Sequence, residues 1–164
     1  MTRIGLLSDT HGFIDDKIFE FFSPCDEIWH AGDIGSLDVI GKLSQIKPVK
    51  AVHGNIDGAD IRLIYKKHLR FHCEEMKIWI THIGGSPGHY EKAIKEELVL
   101  NPPDLFICGH SHILKIIFDK KFNFLFINPG AAGISGFHKV RTAVRFVIDK
   151  SEPKQMEILE INRH

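Results

Sequence analysis

The stretch IGLLSDTH, residues 4–11, is an apolar run that stops abruptly at an aspartate and a histidine. Four more runs end in the same manner. EIWHAGD (27–33) ends in Asp33, VKAVHGNID (49–57) in Asn55 and Asp57, KIWITH (77–82) in His82, and DLFICGHSH (104–112) in His110 and His112. A short apolar run bounded by turn residues is the pattern of a strand buried on both faces. Open α/β sheets place their sites beyond the carboxyl ends of such strands. Five strand ends bearing metal-binding side chains therefore point to an α/β fold with one shared crevice. The donors are oxygen and nitrogen with no cysteine, which favours a hydrolytic metal centre over a structural zinc site.

The segments between these runs complete the pattern. After residues 3–8, Gly12 permits a turn into a helix with Ile14, Ile18, Phe19 and Phe22 on one face. Ser36 is placed to cap a helix carrying Leu37, Ile40 and Leu43. The first half thus reads β-α-β-α-β, with parallel strands and right-handed crossovers. Beyond residue 64, RFHCEEMKIWITH (70–82) reads as a hairpin turning at Glu74-Glu75, and ILKIIFDKKFNFLFIN (113–128) as a second turning near Lys120-Lys121. Pro87 opens a predicted helix that runs to about Leu100 and is stopped by Pro102-Pro103. TAVRFVID (142–149) and QMEILEI (155–161) form a last antiparallel pair around Pro153. Two packed sheets with helices outside accommodate both halves, so one domain is expected over residues 1–164.

Composition narrows the function classes. The 164 residues carry 21 Lys+Arg against 21 Asp+Glu, a formal net charge of zero. Nothing in that balance indicates nucleic acid or an acidic membrane surface as partner. No apolar stretch approaches the length of a membrane span, and the apolar part of the N-terminus is too short for a signal peptide. The cytoplasm is the expected location. Cys25, Cys73 and Cys108 lack zinc-finger or redox spacing and read as reduced thiols.

The chemistry follows from donor types. In extended chain, positions i and i+2 face one side, so Asp9 and His11 are expected to grip one ion together. His110 and His112 share that spacing, with side chains about 7 Å apart if the chain is a strand, which suits two neighbouring ions as well as one. Asp33, with two carboxylate oxygens, is the natural bridge. Asn55 offers a carbonyl oxygen to metal and an amide to a phosphate oxygen, and His82 adds an imidazole. Gly32, Gly54 and Gly109 each precede one of these residues. Two divalent ions bring about +4, two aspartates and a hydroxide remove about 3, and roughly one positive charge remains to attract an anion. A phosphate ester fits that charge.

DTHG, HAGD, GNID, THIGG and GHSH, in this order and at these distances, resemble the signature of calcineurin-like metallophosphoesterases. The match is closest to the small single-domain bacterial and archaeal phosphodiesterases. It covers residues 3 to about 148, and INPGAAG (127–133) resembles that subgroup's NPGS segment. The resemblance implies a four-layer αββα sandwich of two mixed sheets flanked by helices. It implies a first metal held by Asp9, His11 and His112, a second held by Asn55, His82 and His110, and Asp33 between them. Asp33, Asn55 and His110 would be the catalytic groups, with a bridging hydroxide as nucleophile. Manganese is the expected metal, with iron, nickel, cobalt or zinc as other occupants.

One position departs from many relatives. Ile56 stands where they carry a histidine thought to protonate the leaving oxygen. Isoleucine donates no proton, which favours a small phosphodiester with an acidic leaving group over an alkyl monoester. Two other functions remain open. One is a phosphomonoesterase using another acid. The other is a protein-interaction scaffold that keeps the fold, as in the retromer subunit of this family. His138, in GFHKVR (136–141), is a candidate substrate contact beside Lys139 and Arg141. His30 and His53 read as core or supporting residues, and Asp57 as a cap for the following segment or an orienter of Asn55. The strand in ILKIIF either packs on the other sheet or pairs across a homo-oligomer interface.

Overall fold

A computed structural model describes residues 1–163. The first half runs β1 (Thr2–Leu7), α1 (Asp16–Phe22), β2 (Glu27–His30), α2 (Leu37–Ile46), β3 (Val49–Ala51) and α3 (Ala59–Ile64). The second runs β4 (His68–Cys73), β5 (Met76–Thr81), α4 (Lys92–Leu100), β6 (Leu105–Ile107), β7 (Leu114–Asp119), β8 (Phe124–Pro129), β9 (Val140–Asp149) and β10 (Glu152–Asn162). Two five-stranded sheets result, in the orders β10-β9-β1-β2-β3 and β4-β5-β6-β8-β7. Both are mixed. β1, β2 and β3 are parallel, with β9 antiparallel to β1. β5, β6 and β8 are parallel, with β4 and β7 antiparallel at the edges.

Side-chain alternation explains the layering. Successive strand residues face opposite sides. Ile4, Leu6 and Trp29 of the first sheet meet Ile78, Ile80, Leu105, Ile107 and Ile127 of the second in the shared core. The intervening residues face outward. Leu7 and Ile28 pack under Ile18 and Phe22 of α1 and Val39 and Leu43 of α2. Trp79, Phe106, Phe124 and Phe126 pack under Ile94 and Leu98 of α4. Strands buried on both faces must be apolar at every position, which is why they read as continuous runs. The architecture is the expected four-layer sandwich.

Three local expectations change. Pro87 opens no helix. It sits at the second position of a turn closed by the His89 N–H on the Ser86 carbonyl at 2.8 Å, with Gly88 at φ +84°, and α4 begins only at Lys92. Pro-Gly at the centre of a type II turn outweighs its value as a helix start. The sequence pattern places no helix between VKAVHGNID and the first hairpin, and the structure adds the short α3, whose N-cap Gly58 makes no side-chain bond. The last hairpin turns at Lys150-Ser151, and Pro153 lies within edge strand β10, paired opposite Ile148. Ser36 does cap α2, accepting from the Asp38 N–H at 3.1 Å. In ILKIIF, Leu114 and Ile116 pack on the shared core, while Ile117 and Phe118 stay exposed on edge strand β7.

Candidate metal centre

The loops after β1, β2, β3, β5 and β6 meet at one end of the two sheets. Asp9, His11, Asp33, His110 and His112 all have φ between +46° and +72°. This corrects the extended-chain premise: these pairs occupy tight left-handed turns. Such backbone costs a non-glycine residue of order 1 kcal/mol or more. Bonds between loops hold it. The N–H groups of Asp9 and His11 donate to the Gly32 and Asp33 carbonyls at 2.9 and 3.0 Å. The Gly109 N–H donates to the His82 carbonyl at 3.0 Å, and the Gly133 N–H to the Asp9 carbonyl at 3.1 Å.

Two triads form. In Asp9, His11 and His112, one donor atom from each lies within 4.8 Å of the others, and Asp33, His82 and His110 do the same. Asp33 Oδ2 stands 3.3 Å from His11 Nε2 and 3.2 Å from His82 Nε2, so it reaches both triads. His110 and His112 fall on opposite sides of this divide. Asn55 Oδ1 lies 3.1 Å from His110 Nδ1. All seven residues thus line one crevice.

The donor arrangement calls for positive charge. His82 Nδ1 donates to the Ala31 carbonyl at 2.8 Å, because a carbonyl can only accept. Its Nε2 lone pair therefore faces Asp33 Oδ2 and, at 3.7 Å, Asp9 Oδ1. His112 Nε2 lies 3.2 Å from the same Asp9 oxygen. Asp9 Oδ1, His11 Nε2 and His82 Nε2 are buried without a hydrogen-bond partner. Crowded acceptors of this kind are stabilised by a nearby cation, and a divalent ion in each triad would satisfy them. The residues present fit the metals that the sequence implies.

The electrostatics point the same way. Burial opposes the charge on Asp9, but His11, His112, His82 and Ser8 together hold its carboxyl well below the usual carboxylate range. Burial likewise works against Asp33, and His82 beside it more than compensates, so its pKa is lowered. The Asp9 carboxylate raises His11. Burial alone would lower His82, but the two carboxylates raise it. Both acids are held ionised, ready to meet a cation.

A set of supporting groups fixes the loops. The buried Asp57 carboxylate accepts from the N–H groups of Gly54, Ile34 and Gly35 at 2.8, 3.1 and 2.8 Å, clamping the Asp33 and Asn55 loops together. It is therefore a loop clamp rather than a helix cap. His30 accepts from the Gly32 N–H and bonds the Thr10 hydroxyl, which donates to the Ile34 carbonyl. Burial pushes His30 down to about 4, so it stays neutral. Asn128 donates to the Gly109 carbonyl at 2.9 Å and accepts from the Gly130 N–H. Ser8 donates to Asp9 Oδ2 at 2.7 Å. A Cβ on Gly32, Gly54 or Gly109 would collide with His82, Asp33 or Ser8 respectively. Each glycine is where a neighbouring loop's side chain passes.

The remaining candidates fall into place around this centre. The backbone N–H of the half-exposed Ile56 donates to Asp33 Oδ1 at 3.1 Å. His53 bonds the Tyr65 carbonyl, away from the triads. His138 touches His112, with Nδ1 to Nδ1 at 3.2 Å, and its Nε2 engages the Gly133 carbonyl at 2.8 Å. Arg141 is 4% exposed and committed to the Asp15 carboxylate (2.9 and 3.1 Å) and the Ala132 carbonyl. It is a structural tie and not a companion of His138 in substrate contact. Thr10 and Asn128 stand inside the quoted segments DTHG and INPGAAG, but the sequence pattern gives no role to them or to Ser8, which directly precedes DTHG.

Known proteins resemble this chain in sequence or in fold. A probable metallophosphoesterase of Methanocaldococcus jannaschii is 29% identical over 166 residues, spanning 96% of this chain and 82% of that protein. The solved structure of an archaeal phosphodiesterase is 25% identical, with a TM-score of 0.73 and coverage of 96% of this chain and 99% of that one. A single mutant of Vps29 from Entamoeba histolytica, 15% identical, shares the fold at a TM-score of 0.77 over 98% of each chain. Sheet order, five loaded strand ends and a matching domain model over residues 2–151 agree, and the chain belongs to the calcineurin-like phosphoesterase superfamily.

Proposed function

We propose that this protein is a metal-dependent phosphodiesterase with a dinuclear centre, manganese being the favoured metal. The observation that carries this reading is the pair of triads joined at Asp33, with three buried donor atoms left unpartnered between them. Asp9, His11 and His112 would hold one ion, His82, His110 and Asn55 the other, and Asp33 both. When bound, such a pair supplies a water of lowered pKa as nucleophile and a clamp for the phosphoryl oxygens.

The chain's own groups do the rest. Asp33, held from one side by the Ile56 N–H, orients the space between the triads. Asn55 presents its amide at the mouth beside His110, where it can turn its NH2 to a phosphoryl oxygen. A cleft of about 230 Å³ adjoins His110 and is lined by Ser86, His89, Ser111, Ile113 and Lys115 among others. It has room for one ester substituent. Ile56 brings no acid to the leaving oxygen, which favours substrates whose leaving group departs unprotonated. The 25% identical archaeal phosphodiesterase supports this preference.

The test is hydrolysis of bis(p-nitrophenyl) phosphate and p-nitrophenyl phosphate by EDTA-stripped protein, with and without manganese. Asn55→Ala serves as the control. Manganese-dependent cleavage that favours the diester is expected. A strong monoester preference would show that another group donates the proton. No turnover with any first-row divalent ion would move the assignment to a scaffold.

A further inference from the structure

Among the described residues, His112 is the one proposed metal ligand whose second ring nitrogen is met by another histidine. Its Nδ1 lies 3.2 Å from His138 Nδ1, and the rings stand at 80° with centroids 5.0 Å apart. His138 is itself anchored, because its Nε2 lies 2.8 Å from the Gly133 carbonyl. A carbonyl only accepts, so that nitrogen carries the proton. In neutral His138 the lone pair is then on Nδ1, aimed at His112. His112 must donate from Nδ1 to meet it, which leaves its Nε2 lone pair directed into the first triad, 3.2 Å from Asp9 Oδ1. One backbone carbonyl thus sets two tautomers in series. The fit is close: a Cβ on Gly136 would lie 2.5 Å from His112 Nδ1 and 3.2 Å from His138 Nδ1. Gly136 also has φ +125°, which disfavours any side chain.

We infer that His138 is a positioning residue that orients His112 and holds it in the tautomer able to bind the first metal. This rests on the metal-centre reading above. Ligating histidines characteristically donate their other N–H to a carboxylate or carbonyl, and losing that partner weakens metal binding by about 10–100-fold. Here a neutral imidazole fills that place. With both nitrogens engaged, His138 has no polar atom left for substrate. This assignment replaces the substrate contact expected from the sequence.

Manganese titration of EDTA-stripped protein, followed by the electron paramagnetic resonance of free Mn²⁺, tests this without turnover. Wild type should bind two ions. His138→Phe keeps the ring's bulk but offers no acceptor. It should bind one ion as wild type does and the other about 10–100-fold more weakly. His138→Asn, whose Oδ1 falls near the lost Nδ1, should recover most of that affinity. Two ions bound at wild-type strength by His138→Phe would overturn the assignment and leave the metal centre standing. Equal weakening in both variants would overturn it too, since packing on Gly136 would then suffice. A wild type that binds no divalent ion would remove the metal centre and the assignment together. A second measurement needs no variant. Nitrogen-15 shifts of zinc-loaded wild type should show His112 protonated at Nδ1 and His138 at Nε2. The opposite tautomer of His138 would sink the idea.

Discussion

The first sheet brings Asp9, His11, Asp33 and Asn55 to the crevice on the ends of β1, β2 and β3. The second brings His82, His110 and His112 on the ends of β5 and β6. One sheet therefore supplies every oxygen donor and both negative charges, while the other supplies imidazoles alone. Each triad takes members from both sheets. The difference teaches that neither sheet completes a triad by itself. Metal binding and the packing of the two sheets are thermodynamically linked, because the ion binds only the assembled state.

The largest expected effect tests the unequal division of charge. Asp33→Asn removes the carboxylate that reaches both triads, and kcat/KM for a diester should fall by at least ~10³-fold, the scale of losing a group that acts on transition-state charge. Manganese in excess should not restore it. His110→Ala removes a more exposed imidazole donor from the second sheet. Its loss should be nearer ~10²-fold, with partial recovery at millimolar manganese. Equal losses and equal recovery would show that the division of charge between the sheets has no functional weight.

A smaller effect concerns the seam between the sheets. Arg141 on β9 binds the Ala132 carbonyl in the segment leaving β8, and grips Asp15 just before α1. Asp15→Asn leaves the buried guanidinium without its anion. The cost should be about 2 kcal/mol in denaturant unfolding, below the ~3–5 kcal/mol of a fully buried pair because Asp15 is partly wet. The Arg141 guanidinium holds Asp15 below the ordinary carboxylate value. Its contribution is therefore complete above about pH 4 and fades as pH falls through the lower folded pKa. Wild type and Asp15→Asn should converge in stability in acid. A constant gap would assign the cost to packing instead.

The smallest effect is read by its sign. His11 and His82 are raised by the carboxylates around them. In metal-free protein their stabilisation is complete below about pH 6.5 and is lost as pH rises through the folded values. A bound ion requires the same nitrogens unprotonated, so its stabilisation grows over that window. The metal-free melting temperature should drop from pH 6 to pH 8, while the gain on adding manganese rises. Parallel pH profiles with and without metal would contradict the account of the facing acceptors.

The strands were legible because burial on both faces forces uninterrupted apolar runs, as in Ile78–Trp79–Ile80 and Leu105–Phe106–Ile107. The seven crevice residues were legible because they follow those runs at once. The helix starting at Lys92 was misplaced because Pro87-Gly88 satisfies turn chemistry and helix-start chemistry alike, and the choice lay in the His89–Ser86 bond. α3 escaped the sequence pattern because it spans six residues with only Ile61 buried, too short to show a helical period. His138 lies in the unpatterned segment before β9 and Arg141 at the start of that strand, so nothing local distinguishes a substrate contact from a tie.

The sequence by itself determined the order of the strands and of every helix but α3, and which residue types stand at each strand end, because hydrophobic period and turn chemistry are local properties. The tertiary structure alone decided the rest. It set the left-handed turns at Asp9, His11, Asp33, His110 and His112 and the pairing of His112 with His138. Those features depend on bonds between loops from different strands, such as His11 to Asp33 and Gly109 to His82. Such contacts join residues 20 or more positions apart, and they exist only once the two sheets have packed.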